Sequence, residues 1–342
     1  SPNGDRYALL TNATSPIIDF IDITSDKPKQ SSLSLLPNVR PADPATFKLK
    51  VWGSDSDKLL MTAKTDKATD WLLVDRRDES KTVNISTKYG VEISEAVFDP
   101  RSNNRVIVRT VSGDIRIIDM SADTMSDVMA SSVTSMSTYM NDAILVVRQI
   151  TPTTQSIGYV SFGSTTVRQL QEISNADKTL VAGATYFGDP YITISNGNKL
   201  DVYRIRSMPS SDSETSIGMS NLLSASLPSG ATYLSVRTNG RFVLAQYGSG
   251  LLTYDIELKK RSNTSFTVTV NDELRWLDKY HFYLTNGSSL EVLEFDGGNA
   301  HEITPLTTSF DAIWRDNGKY IYSIKSTVDG KFSLQRSLMI ID

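Results

Sequence analysis

The chain of 342 residues carries 35 Lys and Arg against 39 Asp and Glu, a formal net charge of −4, with 39% hydrophobic residues, two histidines and no cysteine. Without Cys there is no thiolate nucleophile, no Cys-held zinc or iron–sulfur cluster and no disulfide, and His281 and His301 alone leave little room for imidazole metal sites or catalytic triads. Interspersed charge signs offer no basic field for nucleic-acid phosphates, and no run approaches the ~18 apolar residues that would mark a membrane helix, so neither nucleic-acid binding nor membrane insertion of this segment is expected.

In chain order, short β-rich runs alternate with turn signals, and one phrase returns every ~40 residues, the period range of repeat architectures. The phrase is a strand, a turn with Asn, Asp or Gly, a second strand rich in Val, Ile, Leu and Tyr, a short turn, and a third strand ending near an acidic residue. The chain opens on the turn of this phrase, at Ser1-Pro2-Asn3-Gly4. The run Asp26–Ser32 and the Pro-rich Pro37–Pro44 read as loops between strands. Copies follow at Phe47–Arg77, Ile93–Met120, Val133–Phe162, Thr179–Ile205, Thr232–Glu257, Asp272–Asp296 and Phe310–Ile341. Weaker fourth runs occur at Thr82–Ser86, Thr166–Leu170 and Phe266–Thr269. Ala122–Ala130 and Ser220–Ser226 are the short stretches with helical character. Asn196-Gly197, Asn239-Gly240, Asn286-Gly287, Asn317-Gly318, Ser112-Gly113 and Asp329-Gly330 lie between β-branched and aromatic runs, where positive φ joins antiparallel strands tightly.

Four antiparallel strands per unit, repeated, predict an all-β fold: a β-propeller of four-stranded blades, spanning 1–342 as one domain. The first unit lacks its innermost strand and the last its outermost, so eight blades are the first expectation. Seven is the alternative, with the terminal pieces combining in one blade to leave no sheet edge exposed. The opening residues SPNGDRYALL lack the basic and apolar regions of a signal peptide and read as the middle of a motif. An upstream segment is therefore expected. A Ser/Thr-rich chain without Cys points to an extracytoplasmic or cell-surface location, anchored by that segment.

The turn phrases Ser1-Pro2-Asn3-Gly4-Asp5-Arg6-Tyr7, Phe98-Asp99-Pro100-Arg101-Ser102-Asn103-Asn104-Arg105 and Trp314-Arg315-Asp316-Asn317-Gly318-Lys319-Tyr320 resemble the W/F-S-P-D-G-K hairpin of TolB-like and WD40-like propellers. The WD dipeptide and the Gly-His pair of true WD40 repeats are absent. The chain also resembles the propeller portion of PEGA-domain bacterial surface proteins. These resemblances imply a non-enzymatic role in the envelope, binding a protein or glycan partner through one face of the disc.

Chemistry on the propeller is less well signalled. There is no Ser-x-Asp-x-Gly-x-Thr-Trp, no Gly-x-Ser-x-Gly elbow and no Walker sequence. No cofactor and no metal is expected, since Asp55-Ser56-Asp57 and Asp66 to Asp70 do not follow the calcium-loop pattern. Two alternatives to envelope binding stand: a glycoside hydrolase or lyase with carboxylates at the central channel, although no spacing singles out a pair, and an intracellular scaffold. Aligning the units places Arg237, Arg275 and Arg315 at equivalent points, where the first strand meets its turn. They are the candidate ligand-binding residues, a basic arc for an acidic ligand. Solvated strand-end charges, paired to Asp278 or Asp316, are the plainer reading. Asp22, Asp75, Asp119, Asp255 and Asp296 recur near the end of the third strand, which predicts a structural duty in holding turn amides. Trp52, Trp71 and Trp276 serve either as sugar platforms or in packing between blades. The polar stretch Arg206–Gly230 is the longest departure from the period and reads as an excursion on one face. The sequons at Asn12, Asn84, Asn263 and Asn286 matter only in a source that glycosylates.

Overall fold

The computed structural model describes residues 1, 4–11, 16–25, 27–206, 218–236, 240–248, 250–265, 275–278, 280–286, 289–305, 313–314, 320–326 and 332–338. Their strands assemble in chain order into eight antiparallel sheets, six of four strands and two of three. The complete sheets occupy residues 46–84, 93–125, 133–174, 179–226, 233–265 and 275–305, here blades 2 to 7. The three-stranded sheets, residues 6–34 and 313–338, lie at the two ends of the chain.

The fold is a seven-bladed β-propeller of four-stranded antiparallel blades. The expectation of eight counted each terminal sheet as a blade of its own, and it gives way to the alternative of seven. Neither terminal sheet has four strands, and Tyr7 of the first donates its hydroxyl to the Tyr322 carbonyl of the last at 2.5 Å. That contact joins the two ends of the chain.

Period-2 side-chain alternation explains why the middle strands are apolar throughout. A strand packed on both faces must be hydrophobic on both, and it reads as a continuous apolar run. In blade 2, Leu59, Met61, Leu72 and Val74 join Ile18 and Phe20 of the first sheet in one cluster. The intervening Leu60, Trp71 and Leu73 join Ile93, Val106 and Val108 of blade 3 in another. Both clusters lie in the first compact unit, residues 1–131 with short C-terminal pieces. The second unit, made mainly of residues 132–312, repeats the scheme. There Leu145, Val181 and Ile192 fill the space between blades 4 and 5, Leu200, Val243 and Tyr254 that between blades 5 and 6, and Leu244, Leu251 and Phe282 that between blades 6 and 7. Outer strands have one solvated face and read as polar, as in Lys260–Ser265.

Several local expectations are corrected. Ala122–Ala130 holds no helix; its ordered part is the two-residue strand Thr124–Met125. Ser220–Ser226 falls within the strand Met219–Ser226, whose register against Lys199–Ile205 gives it backbone partners that an isolated helix would lack. Asp26–Ser32 is only partly a loop, since Lys29–Ser34 is a strand. The run Thr82–Ser86 supplies the short strand Val83–Asn84 and then enters a helix at Ile85–Tyr89, capped by Asn84 accepting from the Thr87 amide at 3.0 Å and ended by Gly90 at φ 60°. The fourth strand of blade 4 runs Arg168–Ser174, later than the expected Thr166–Leu170. Phe266–Thr269 and the core of the Arg206–Gly230 excursion lie outside the described residues.

The recurrent aspartates hold turns, as their position predicts. Each accepts through Oδ1 from amides of the turn that follows: Asp22 from Thr24 (3.0 Å), Asp75 from Arg77 and Asp78 (2.9 and 3.1 Å), and Asp119 from Ser121 and Ala122 (2.9 and 3.1 Å). Asp255 accepts from Glu257 and Leu258 (2.9 and 3.1 Å), and Asp296 from Gly298 (2.9 Å). Three of these carboxylates also meet an arginine from the start of the second strand: Arg6 on Asp22 at 3.6 Å, Arg105 on Asp119 at 2.7 Å and Arg241 on Asp255 at 2.7 Å. The Ser121 hydroxyl and then the Arg105 guanidinium hold the Asp119 carboxyl well below the usual carboxylate range. The tryptophans work between blades. Trp71 is buried and donates Nε1–H to the Ile93 carbonyl at 3.1 Å, Trp52 meets Phe20 edge-on at 5.8 Å, and Trp276 stacks on Phe242 at 6.2 Å.

Candidate functional site

In an up-and-down sheet the turn joining the first and second strands and the turn joining the third and fourth emerge on the same edge. On that edge of the second unit, four consecutive blades present large apolar side chains to solvent. Met140 of blade 4 is 45% exposed, Phe187 of blade 5 is 87%, Leu258 of blade 6 is 62% and Tyr280 of blade 7 is 47%. Solitary exposed apolar residues are ordinary, but a run along one edge marks an interaction surface.

Phe187 is the most unusual of the four. The strands Thr179–Tyr186 and Asp189–Asn196 pair with Tyr186 opposite Asp189, so Phe187 and Gly188 alone make the turn. Both have positive φ, 48° and 85°, as a type I′ turn requires. Asn-Gly is the sequence that suits this geometry. A phenylalanine there crowds its Cβ against the following carbonyl, at about 1–2 kcal/mol. It gains little from burial in return, since it is largely exposed and Tyr186 meets its ring edge-on at 4.6 Å. One blade earlier Met140, the first of three residues between the paired Tyr139 and Ala143, is a second exposed apolar side chain at positive φ, 48°.

A polar lattice ties these turns together. Tyr139 and Thr185 share a hydroxyl hydrogen bond of 2.8 Å between blades 4 and 5. The Tyr186 hydroxyl bonds Glu257 of blade 6; partial burial and then this carboxylate push its pKa up. Glu257 also takes the Arg241 Nη1 at 2.6 Å. Arg241 lies against the rings of Phe242 and Tyr280, 4.9 and 5.9 Å from their centroids, while the forked contact to the buried Asp255 fixes it and raises its pKa. On blade 7, Asp278 accepts from the amides of Tyr280 and His281 at 2.7 and 2.8 Å. The result is a fixed surface of apolar side chains around a neutralised cation, suited to packing against another protein.

Of the arginines expected to form a basic arc, Arg237 and Arg315 lie outside the described residues. Arg275 opens the strand Arg275–Trp276, where its backbone pairs with Tyr283. Sequence reasoning missed Phe187, Leu258 and Tyr280. The available signal was Tyr186-Phe187-Gly188-Asp189, a hairpin whose first turn position holds an aromatic residue where Asn or Asp is preferred.

No family model matches the chain, and no curated protein matches it. Solved structures are similar to it in fold. The β-propeller domain of Myceliophteria thermophila Cps50 (Swd1) superposes with a TM-score of 0.54 at 10% identity, covering 88% of this chain and 93% of that one. An uncharacterised protein of Listeria monocytogenes gives 0.55 at 12% identity, covering 90% and 94%. An oligogalacturonate lyase of Vibrio parahaemolyticus gives 0.49 at 9% identity, covering 98% of both chains. At these identities the likeness to the first two shows the propeller fold and nothing about activity.

Proposed function

We propose that this chain is a non-enzymatic binding propeller of a cell-envelope or surface protein, and that it engages a protein partner through the turn edge of blades 4 to 7. The single observation that carries this reading is Phe187, an 87% exposed aromatic side chain held at φ 48° in a two-residue turn. Backbone strain without compensating burial is kept where it serves a function, and rigid exposed aromatics are the usual anchors of protein interfaces. The Ser/Thr-rich, Cys-free composition and the resemblance to TolB-like propellers support the envelope assignment.

Photo-crosslinking in the source cells tests it. A benzophenone side chain at position 187 gives a discrete protein adduct, and the same group at Thr153, on the opposite edge of blade 4, gives none. The adduct formed from position 280 disappears when Phe187→Asn is introduced. Identical adducts from positions 187 and 153, or none from either, would overturn the proposal.

A further inference from the structure

A second surface, in the first unit and remote in sequence from the turn edge, has a different chemistry. A cleft of about 810 Å³ opens between blades 2 and 3, within the ~300–1,000 Å³ range of small-ligand sites. Its charged lining is Lys48, Lys50, Lys64 and Lys67 against Asp70 and Glu92, an excess of two positive charges in a chain whose net charge is −4. Asp70 accepts from the Asn84 side chain at 2.8 Å, and Lys67 pairs with Asp43 at 2.9 Å. Lys48 and Lys64 are exposed and have no carboxylate within ion-pair distance among the described residues.

Strand register explains why these two ammonium groups converge. Lys48 stands opposite Thr62, and Thr46 opposite Lys64, in the pair formed by Thr46–Trp52 and Lys58–Lys64. Lys48 and Lys64 are therefore diagonal neighbours on one face, about 7–8 Å apart at Cα, close enough for long side chains to act on one ligand. The face continues through Thr69, opposite Lys64, to Trp71, opposite Thr62. Ser86, Thr87 and Ser94 line the other side. Two like charges held together without a counter-charge are unfavourable in the empty protein, and an anion between them removes that repulsion.

We infer that this cleft binds a short acidic saccharide, with Lys48 and Lys64 holding its carboxylates and the Ser and Thr hydroxyls meeting its hydroxyl groups. Lysine supplies mobile point charges on long stems, which can reach carboxylates spaced along a chain. Hydroxyls of Ser86, Thr87 and Ser94 line the cleft beside Val91 and Val111, so a sugar's hydroxyl groups and its apolar ring face both meet matching groups. The inference does not depend on the turn edge of blades 4 to 7.

Calorimetric titration of the full chain with a trisaccharide of uronic acids tests it. Saturable one-site binding is expected, weakening at least tenfold in the double variant Lys48→Gln, Lys64→Gln and weakening further as salt rises toward 0.5 M. The double variant Lys48→Arg, Lys64→Arg keeps the charge and most of the affinity, and neither variant melts below the wild-type temperature because the side chains are solvated. The same trisaccharide with methyl-esterified carboxylates does not bind. The inference fails if the acid form does not bind, if the Gln variant binds it equally well, or if inorganic phosphate or tri-glutamate binds more tightly than the saccharide. Phe187→Asn leaves this titration unchanged, so its result is separate from the fate of the partner-binding surface.

Discussion

Arg241 grips Asp255 with two parallel hydrogen bonds, Nε to Oδ1 at 3.0 Å and Nη2 to Oδ2 at 2.7 Å, across the first residues of one strand and the last of the next. The Asp255 side chain is fully buried while that of Arg241 is 19% exposed, so the pair forms a lid over the end of blade 6. Truncating one partner strands the other charge. Asp255→Ala is expected to cost about 3–5 kcal/mol, and Arg241→Ala a similar amount. A double-mutant cycle by urea unfolding should return a coupling well above the ~1 kcal/mol of a solvated surface pair.

Phe187 carries strain that a better turn residue would relieve. Phe187→Asn should raise stability by about 1 kcal/mol, visible as a higher midpoint in urea, since asparagine accepts positive φ and the aromatic ring loses almost no burial. Stabilisation at the very position whose replacement removes partner contact is the mark of a residue retained for binding.

Gly240 sits at φ 75°, and a Cβ built on it would lie 2.2 Å from the Thr185 carbonyl oxygen of the neighbouring blade. Neither the backbone conformation nor the space admits a methyl group. Gly240→Ala is expected to destabilise by about 2 kcal/mol or more, and because Thr185 precedes the Phe187 turn, tyrosine fluorescence at Tyr186 should change as well.

Trp71 donates its only polar hydrogen to the Ile93 carbonyl across the boundary of blades 2 and 3. Trp71→Phe keeps most of the apolar area but leaves that acceptor unpaired, with an expected loss of about 1–2 kcal/mol by thermal or urea unfolding.

Asp119 has a folded-state pKa below its unfolded value, so its contribution to stability is present above the ordinary carboxylate range and is lost as pH falls through it. Asp119→Asn should therefore lower the melting temperature at pH 7, and the difference from wild type should shrink between about pH 4 and pH 2. A difference that stays constant with pH would contradict the assignment of the charge to this turn.

Most of the scaffold is legible in the residues themselves. Runs such as Leu59-Leu60-Met61 announce a strand buried on both faces, the recurring aspartates mark where the third strand ends, and Asn196-Gly197 falls on a hairpin with Gly197 at positive φ. The helix at Ile85–Tyr89 was hidden because β-branched and polar residues there suit a short outer strand equally well, and a single Asn84 cap decided the matter. The blade number was ambiguous because it depends on how the two incomplete terminal sheets are counted, a long-range property with no local signal. The surfaces were least visible. Periodicity reports which side chains leave the core, whereas the grouping of Met140, Phe187, Leu258 and Tyr280 depends on the stacking of separate blades. The lysine cleft was closer to hand: Phe47-Lys48-Leu49-Lys50 alternates apolar and charged residues in an innermost strand, where charge has no structural reason to be.

The aspartate-held turns have, within each unit, a property that loops rarely have. Amides at Arg77, Asp78, Ser121, Ala122, Glu257 and Leu258 lie outside the sheets yet end on carboxylates anchored in strands. Such amides are expected to exchange with solvent more slowly than unbonded loop amides. A turn held in this way has little conformational entropy left to lose on contact with a partner.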